Sequence, residues 1–310
     1  MSTVAVVMTT YNGEKYVGEQ ITSILSSSYQ DFEIFIYDDG SKDQTLSILQ
    51  EYERQYPEKI HVTQNEINLG VTANFLYALS RTTMDYIMFC DQDDVWNSNK
   101  IALTLKRMRH MEAQIGKDKP LAVFTDACIV DQELNSISPS FFASEHLDPG
   151  KIDLPHILME NKLIGCTVMT NAALRKILQS STNLPKLARF HDWWVALIAA
   201  AFGKIGFVHE STLLYRQHGG NVVGGRGFYA YVKNRLATFK EQKQALLGLQ
   251  QQAKEFLTLY KDMLSDENRK VLKAFSELDS MSFVKKRRVL IHYGFMKSGL
   301  FRNIALFLLI

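Results

Sequence analysis

Five short motifs carry the residue types that could do chemistry in this chain. Asp91-Gln92-Asp93-Asp94 directly follows the apolar run Tyr86 to Cys90. Closely spaced carboxylates suit a hard divalent cation such as magnesium or manganese, which takes oxygen ligands and keeps several waters. Such a cation neutralises the charge that develops on a departing diphosphate. Alone, the same acidic loop could simply cap a helix starting near Asn97 or Ser98. Thr9-Thr10-Tyr11-Asn12 and Asp38-Asp39-Gly40-Ser41 shift that balance, because each also follows an apolar run. Asp192 stands far from these clusters, where it could accept a proton from an attacking hydroxyl or cap a helix. Arg216 and His218 complete the set, as diphosphate or metal contacts or as ordinary surface pairs. Gly219 and Gly220 follow them, and Arg226 lies in a second glycine-rich stretch that could close over a phosphate.

The elements that must position these residues alternate in type. Val4–Met8, Phe32–Tyr37, Ile60–Gln64 and Tyr86–Cys90 read as strands. Helices are expected from Glu14 to Ser27, Asp43 to Gln55 and Val71 to Ser80. This alternation implies a parallel sheet with helices on both faces. Ligands of such sheets bind beyond the carboxyl ends of the strands. The three polar clusters therefore converge on one rim, although they lie about 30 and 50 residues apart. Further strands are expected at Leu121–Thr125, Cys166–Met169, Ile205–Val208 and Thr212–Tyr215. Residues 131–160 read as loops flanking a second substrate. Helices are expected from Asn171 to Leu178, from Phe190 to Ala201, and over most of the chain beyond Phe228. There Leu246, Leu249, Ala253, Phe256, Leu257, Tyr260 and Leu264 keep helical spacing.

Bulk composition narrows the classes. A chain of 310 residues with 46% hydrophobic content can bury a full core. A formal net charge of +2 and dispersed basic residues give little support to nucleic-acid binding. Cys90, Cys128 and Cys166 are far apart in apolar runs and read as buried thiols, which favours a reducing compartment. No signal peptide and no apolar run of about 18 residues is evident.

Together the motifs resemble glycosyltransferase family 2, the inverting enzymes with the nucleotide-diphospho-sugar transferase (GT-A) fold. The resemblance covers about the first 220 residues and includes Asn68-Leu69-Gly70, His191-Asp192-Trp193-Trp194 and Tyr215-Arg216-Gln217-His218 in the family's order. It implies a Rossmann-like mixed sheet with helices on both faces over residues 1–225, then a helical C-terminal region over 226–310. It implies that Thr9, Tyr11, Asn12, Asp39, Asp91 and Arg216 bind the donor nucleotide, with Asp39 accepting from the N3–H of uridine or thymidine. Asp93, Asp91 and His218 would ligate Mg2+ or Mn2+, and Asp192 would be the general base. Asp38 is expected to satisfy backbone donors in its turn. Within the family the chain is most similar to bacterial rhamnosyltransferases of rhamnose-rich cell-wall polysaccharides. That likeness implies transfer of L-rhamnose from dTDP-β-L-rhamnose to a polyprenyl-diphosphate-linked saccharide, giving an α-linkage, expected as α-1,3. A UDP-hexose or UDP-N-acetylhexosamine donor is the alternative.

The tail adds a separate expectation. Lys285-Lys286-Arg287-Arg288 precedes an apolar stretch to Ile310 broken by Lys297 and Arg302. This suits an amphipathic segment lying on the cytoplasmic face of a membrane, or a packing or homo-oligomerisation helix. Two other classes compete with a transferase of sugars. A nucleotidyltransferase would carry a glycine-rich, basic first loop, whereas here only Lys15 lies near Thr9–Gly13. A non-catalytic nucleotide-sugar binder would not need Asp192 beside a metal cluster.

Overall fold

The computed structural model describes residues 4–181, 183–218 and 239–310. In chain order the strands are β1 (Val4–Thr10), β2 (Phe32–Asp38), β3 (Ile60–Gln64), β4 (Tyr86–Cys90), β5 (Val95–Trp96), β6 (Leu121–Val130), β7 (Ser136–Ser138), β8 (Met169–Asn171) and β9 (Lys204–Arg216). The helices are α1 (Val17–Leu25), α2 (Thr45–Gln55), α3 (Val71–Arg81), α4 (Lys100–Ile115), α5 (Phe141–Ser144), α6 (Leu154–Met159), α7 (Ala172–Ser180), α8 (His191–Phe202), α9 (Phe239–Tyr260), α10 (Asp266–Ser276), α11 (Phe283–Tyr293) and α12 (Leu300–Leu309). The expected boundary at 225/226, together with Gly219, Gly220 and Arg226, lies outside the described residues.

β1 is apolar along most of its length and buried on both faces, the signature of a central parallel strand. It pairs in parallel with β2 and β4, and β2 pairs in parallel with β3. The periodicity of the first ninety residues therefore reads out correctly. Beyond β4 the sheet becomes mixed, in the order β3-β2-β1-β4-β8-β6-β9-β5, with β7 on β6. β8 runs antiparallel to both β4 and β6, while β6 and β9 are parallel.

Alternate residues of the strands feed two apolar layers. Ala5, Val7, Ile87 and Phe89 face a layer shared with α3, α7 and α8. Val4, Val6, Met8, Met88 and Cys90 face α1, α2 and α4. Helices thus cover both faces, as in the GT-A arrangement.

Three local expectations are corrected. The run Cys166–Met169 is not a strand: Gly165–Thr167 forms a 3-10 turn and the strand begins at Met169. The turn brings Gly165 against the first turn of α8. Ile205–Val208 and Thr212–Tyr215 are one strand, β9, whose exposed His209 and Glu210 mark a shift in register against β6 near Asp126. Residues 131–160 are not only loop, since Ser140 caps α5 and Asp153 caps α6 through their side chains. Cys90 and Cys166 are buried, Cys128 is half-buried, and all three are free thiols.

The C-terminal helices are not a loose appendage. Leu246, Leu249, Ala253, Phe256 and Tyr260 of α9 enter the same apolar layer as β1, β4 and α8. Trp194 is fully buried, with its ring edge-on to Phe256 at 5.2 Å and tilted to Tyr260 at 6.3 Å. No helix among the described residues is long and apolar enough to cross a membrane.

This packing makes Trp194 the side chain that joins the two parts. Trp194→Ala should lower the unfolding free energy by about 3–5 kcal/mol in urea denaturation. Thr258→Ala, on the exposed side of α9, should change it by less than about 0.5 kcal/mol.

Candidate active site

A cavity of about 1040 Å³ opens at the carboxyl ends of β1, β2 and β4. Thr9, Tyr11, Asp39, Asp91, Asp93 and Asp192 all line it. Residues far apart in the sequence thus meet in one space.

At one end the Asp38-Asp39 pair divides its labour. Asp38 is fully buried and accepts from Thr10 Oγ1 at 2.9 Å and from the Ser41 N–H at 2.9 Å. It satisfies donors inside the turn, as expected, and does not line the cavity. Asp39 reaches the cavity edge. Its Oδ1 accepts from Asn65 Nδ2 at 2.9 Å and the Leu69 N–H at 2.8 Å, while Oδ2 accepts from the Gly70 N–H at 2.8 Å. A carboxylate has about four lone-pair sites, so Oδ2 keeps capacity for a ligand donor. Asn68-Leu69-Gly70 is therefore the clamp that aims Asp39.

Two expected donor contacts are placed differently. Asn12 does not line the cavity: its Oδ1 accepts from the Lys42 N–H at 2.8 Å, and its φ of +49° belongs to a tight turn. Arg216 does not line it either. Its side chain donates to the Asp93 carbonyl at 2.8 Å, to the Gln132 carbonyl at 2.5 Å and to Glu19. Its backbone N–H donates to Asp94 Oδ1 at 3.1 Å. Arg216 is a strut that fixes the acidic loop from behind.

The acidic loop itself is crowded. The ligand atoms of Asp91, Asp94 and Cys166 lie within 4.8 Å of one another. Asp93 Oδ2 lies 2.8 Å from His218 Nε2. Burial pushes the Asp91 carboxyl well above the usual range, and the charges of Asp94, Asp93 and Asp192 add to it. Asp94 is raised for the same reasons, burial first and Asp93 second. Hard oxygen donors with one imidazole, held together against their repulsion, fit Mg2+ or Mn2+. Asp93 and His218 are in direct contact.

Asp192 sits in the first turn of α8, just inside the cavity wall. The cap position of α8 is Phe190, which makes no side-chain capping bond, so Asp192 is not the helix cap. Its Oδ1 accepts from the adjacent Trp193 N–H at 2.6 Å. Burial pushes its carboxyl up to about 7, against the pull of the Trp193 N–H, the Asn161 side chain and the Gly165 backbone. That value suits a group that must take a proton near neutral pH. The neighbouring His191 is stacked on Phe75 at 3.9 Å, and burial holds it neutral, down to about 3. Of the two tryptophans, Trp193 lines the cavity and donates through Nε1 to the Ile157 carbonyl at 2.6 Å.

Several supporting residues escape sequence reasoning. Gln92 accepts from the Tyr11 N–H at 2.9 Å and donates back to its carbonyl at 3.2 Å, tying β1 to the acidic loop. Lys100 is fully buried behind that loop, and burial lowers its ammonium to about 8. Gly165 leaves no room for a side chain: a Cβ there would lie 2.9 Å from His191 Nε2 and 3.5 Å from Asp192 Oδ2. Glu160, Lys162 and Arg302 line the far end of the cavity, where Arg302 Nη1 donates to Glu160 at 2.8 Å. No spacing rule would have linked residue 160 to residue 302.

Comparison with known proteins agrees with this geometry. Residues 5–125 match the model for Glycosyl transferase family 2. The dTDP-rhamnosyl transferase RfbG of Shigella flexneri is 29% identical over 224 residues, 70% of this chain and 73% of its own length. Among solved structures, Staphylococcus aureus TarS 1–349 in complex with UDP-GlcNAc superposes with a TM-score of 0.59 at 16% identity, over 94% of this chain and 80% of that one. The mannosyltransferase PcManGT of Pyrobaculum calidifontis, in complex with GDP-Man and Mn2+, gives a TM-score of 0.57 at 16% identity, over 98% and 78%. Residues 5–125 are thus similar to glycosyl transferase family 2, and the chain has the GT-A fold.

Asp192→Asn should keep nucleotide binding, measured calorimetrically, but lose about 10²–10⁴-fold in transfer rate. Wild-type transfer should fall as pH drops through about 7, where the base becomes protonated. The sign for stability is opposite. Between the ordinary carboxylate range and about 7 the folded state keeps a proton that the unfolded chain releases, so stability falls as pH rises through that window. Asp192→Asn should therefore raise the unfolding midpoint at pH 8. Gly165→Ala should cost about tenfold to a hundredfold in kcat with little change in nucleotide affinity.

Proposed function

We propose that this chain is an inverting, metal-dependent rhamnosyltransferase. It moves L-rhamnose from dTDP-β-L-rhamnose to a lipid-diphosphate-linked saccharide, forming an α-linkage in cell-wall polysaccharide synthesis. The observation that carries the reading is the single cavity that joins Asp39, the Asp91–Asp93 loop and Asp192. The name of the Shigella flexneri relative supports rhamnose as the sugar.

The roles follow from that geometry. Asp39 accepts from the N3–H of the thymine, with Thr9 and Tyr11 against the nucleoside. Asp91 lies along the donor toward the sugar. Asp93, His218 and Asp91 would hold Mg2+ or Mn2+, which supplies charge neutralisation to the departing diphosphate. The acceptor hydroxyl attacks the anomeric carbon as the bond to the diphosphate oxygen breaks. Asp192 takes the hydroxyl proton, and the β-donor becomes an α-product by inversion. Trp193 offers an apolar wall beside Asp192 that keeps water from competing.

A UDP-hexose or UDP-N-acetylhexosamine is the second reading, favoured by one feature. Asp39 reads an N3–H that uracil and thymine share, so the base pocket alone admits both nucleotides.

The test is turnover. With Mg2+ or Mn2+ and a synthetic lipid-diphosphate saccharide, dTDP-β-L-rhamnose should release dTDP and extend the acceptor by one deoxyhexose in mass spectrometry. EDTA or Asp93→Asn should remove at least about 10²-fold of that rate. Turnover with a UDP-sugar and none with the rhamnose donor would replace the sugar assignment and leave the transferase class intact.

A further inference from the structure

We propose that the outer face of α11 and α12 is a docking surface for an anionic lipid bilayer. Leu300, Phe301, Ile304 and Leu308 are 72%, 70%, 48% and 74% exposed. Their spacing puts all four within about 100° of the helix circumference. The opposite side of α12 is buried through Arg302 and Leu306. On α11, Phe283, Val284 and Ile291 are exposed along with Arg288. Seven of the fifteen large apolar residues exposed among the described residues thus fall between positions 283 and 308. The two helices are linked through Arg287, whose guanidinium covers the Phe283 ring and donates to the Phe307 carbonyl.

Charge identifies the occupant. Residues 281–310 contain six Lys and Arg and no Asp or Glu, whereas the other 280 residues carry 29 against 33. Of these cations Lys285 and Arg288 are exposed, whereas Lys286 pairs with Asp279 and Arg302 with Glu160, and the two exposed charges beside apolar side chains are complementary to an anionic lipid surface. A second copy of the chain fits this face poorly. A two-fold interface sets the same patch against itself, so the cations of both copies would meet.

The placement also has a functional sense, which rests on the proposed lipid-linked acceptor. The inner side of α12 carries Arg302, which lines the catalytic cavity beside Glu160. A helix is about 10–12 Å across, so docking would bring the acceptor end of the cavity to within about one helix of the headgroups.

The test uses the full chain in vesicle flotation without nucleotide sugar, so it reads docking whatever the donor proves to be. The wild type should float with phosphatidylcholine vesicles containing 30% phosphatidylglycerol, stay behind with pure phosphatidylcholine, and be released by high salt. Leu300→Ser/Phe301→Ser and Lys285→Glu/Arg288→Glu should each weaken binding by about tenfold or more, with unchanged thermal midpoints. Point variants are needed because removing the segment would also strip Leu290, Phe295 and Leu306 from the core. The proposal is overturned if the wild type ignores anionic vesicles or if both variants bind like the wild type. It is equally overturned if light scattering shows a wild-type dimer that Leu300→Ser/Phe301→Ser converts to monomer.

Discussion

The mutual repulsion of carboxylates at the end of β4 is the constraint around which the structure is arranged. Asp91, Asp93 and Asp94 are consecutive or nearly so, and Asp192 is close enough to raise Asp91 further. Such a loop would splay if left to itself. It is held by Arg216 on the Asp93 carbonyl and the Asp94 carboxylate, by Gln92 on the Tyr11 backbone, and by His218 beside Asp93. These braces come from the end of β1, which neighbours β4, and from the end of β9, which lies beyond β8 and β6 on the other side. That repulsion would also favour a divalent cation at the loop, since binding would relieve it.

Asp192 is charged by different means. Its position depends on α8 entering the cavity wall at an angle set by Trp194 in the core and by the tight contact with Gly165. Its raised affinity for protons comes from burial, with little help from the metal loop. Burial therefore leads in both places, and like charge adds to it at the acidic loop.

The parts of this architecture that repeat along the chain are legible in its sequence. The first four strands and three helices follow apolar periodicity, and the placement of Thr9, Asp39, Asp91 and Asp93 on one rim follows from the parallel sheet. The α9 stripe from Leu246 to Tyr260 is legible for the same reason. What escapes is contact without period. Arg216 and Asn12 are polar residues in the right motifs, yet backbone groups are among their partners, and these leave no trace in side-chain type. The Gly165 turn reads as strand because Cys166, Val168 and Met169 are apolar, although the turn is dictated by the closeness of His191. The Glu160–Arg302 pair spans 142 residues and no local rule connects its members.

The burial of Trp194 against α9 has a consequence for how the protein comes into being. Trp194 belongs to a helix otherwise complete by residue 202, but the rings that cover it, Phe256 and Tyr260, are made more than fifty residues later. During synthesis the sheet and its first helices can assemble while one apolar face is still open to water. The emerging chain must hold that face unpaired until α9 clears the ribosome tunnel, for several seconds at about 5–20 residues per second. Chaperone demand should therefore concentrate in that interval, and the last quarter of the chain acts as the latch on a core begun long before it.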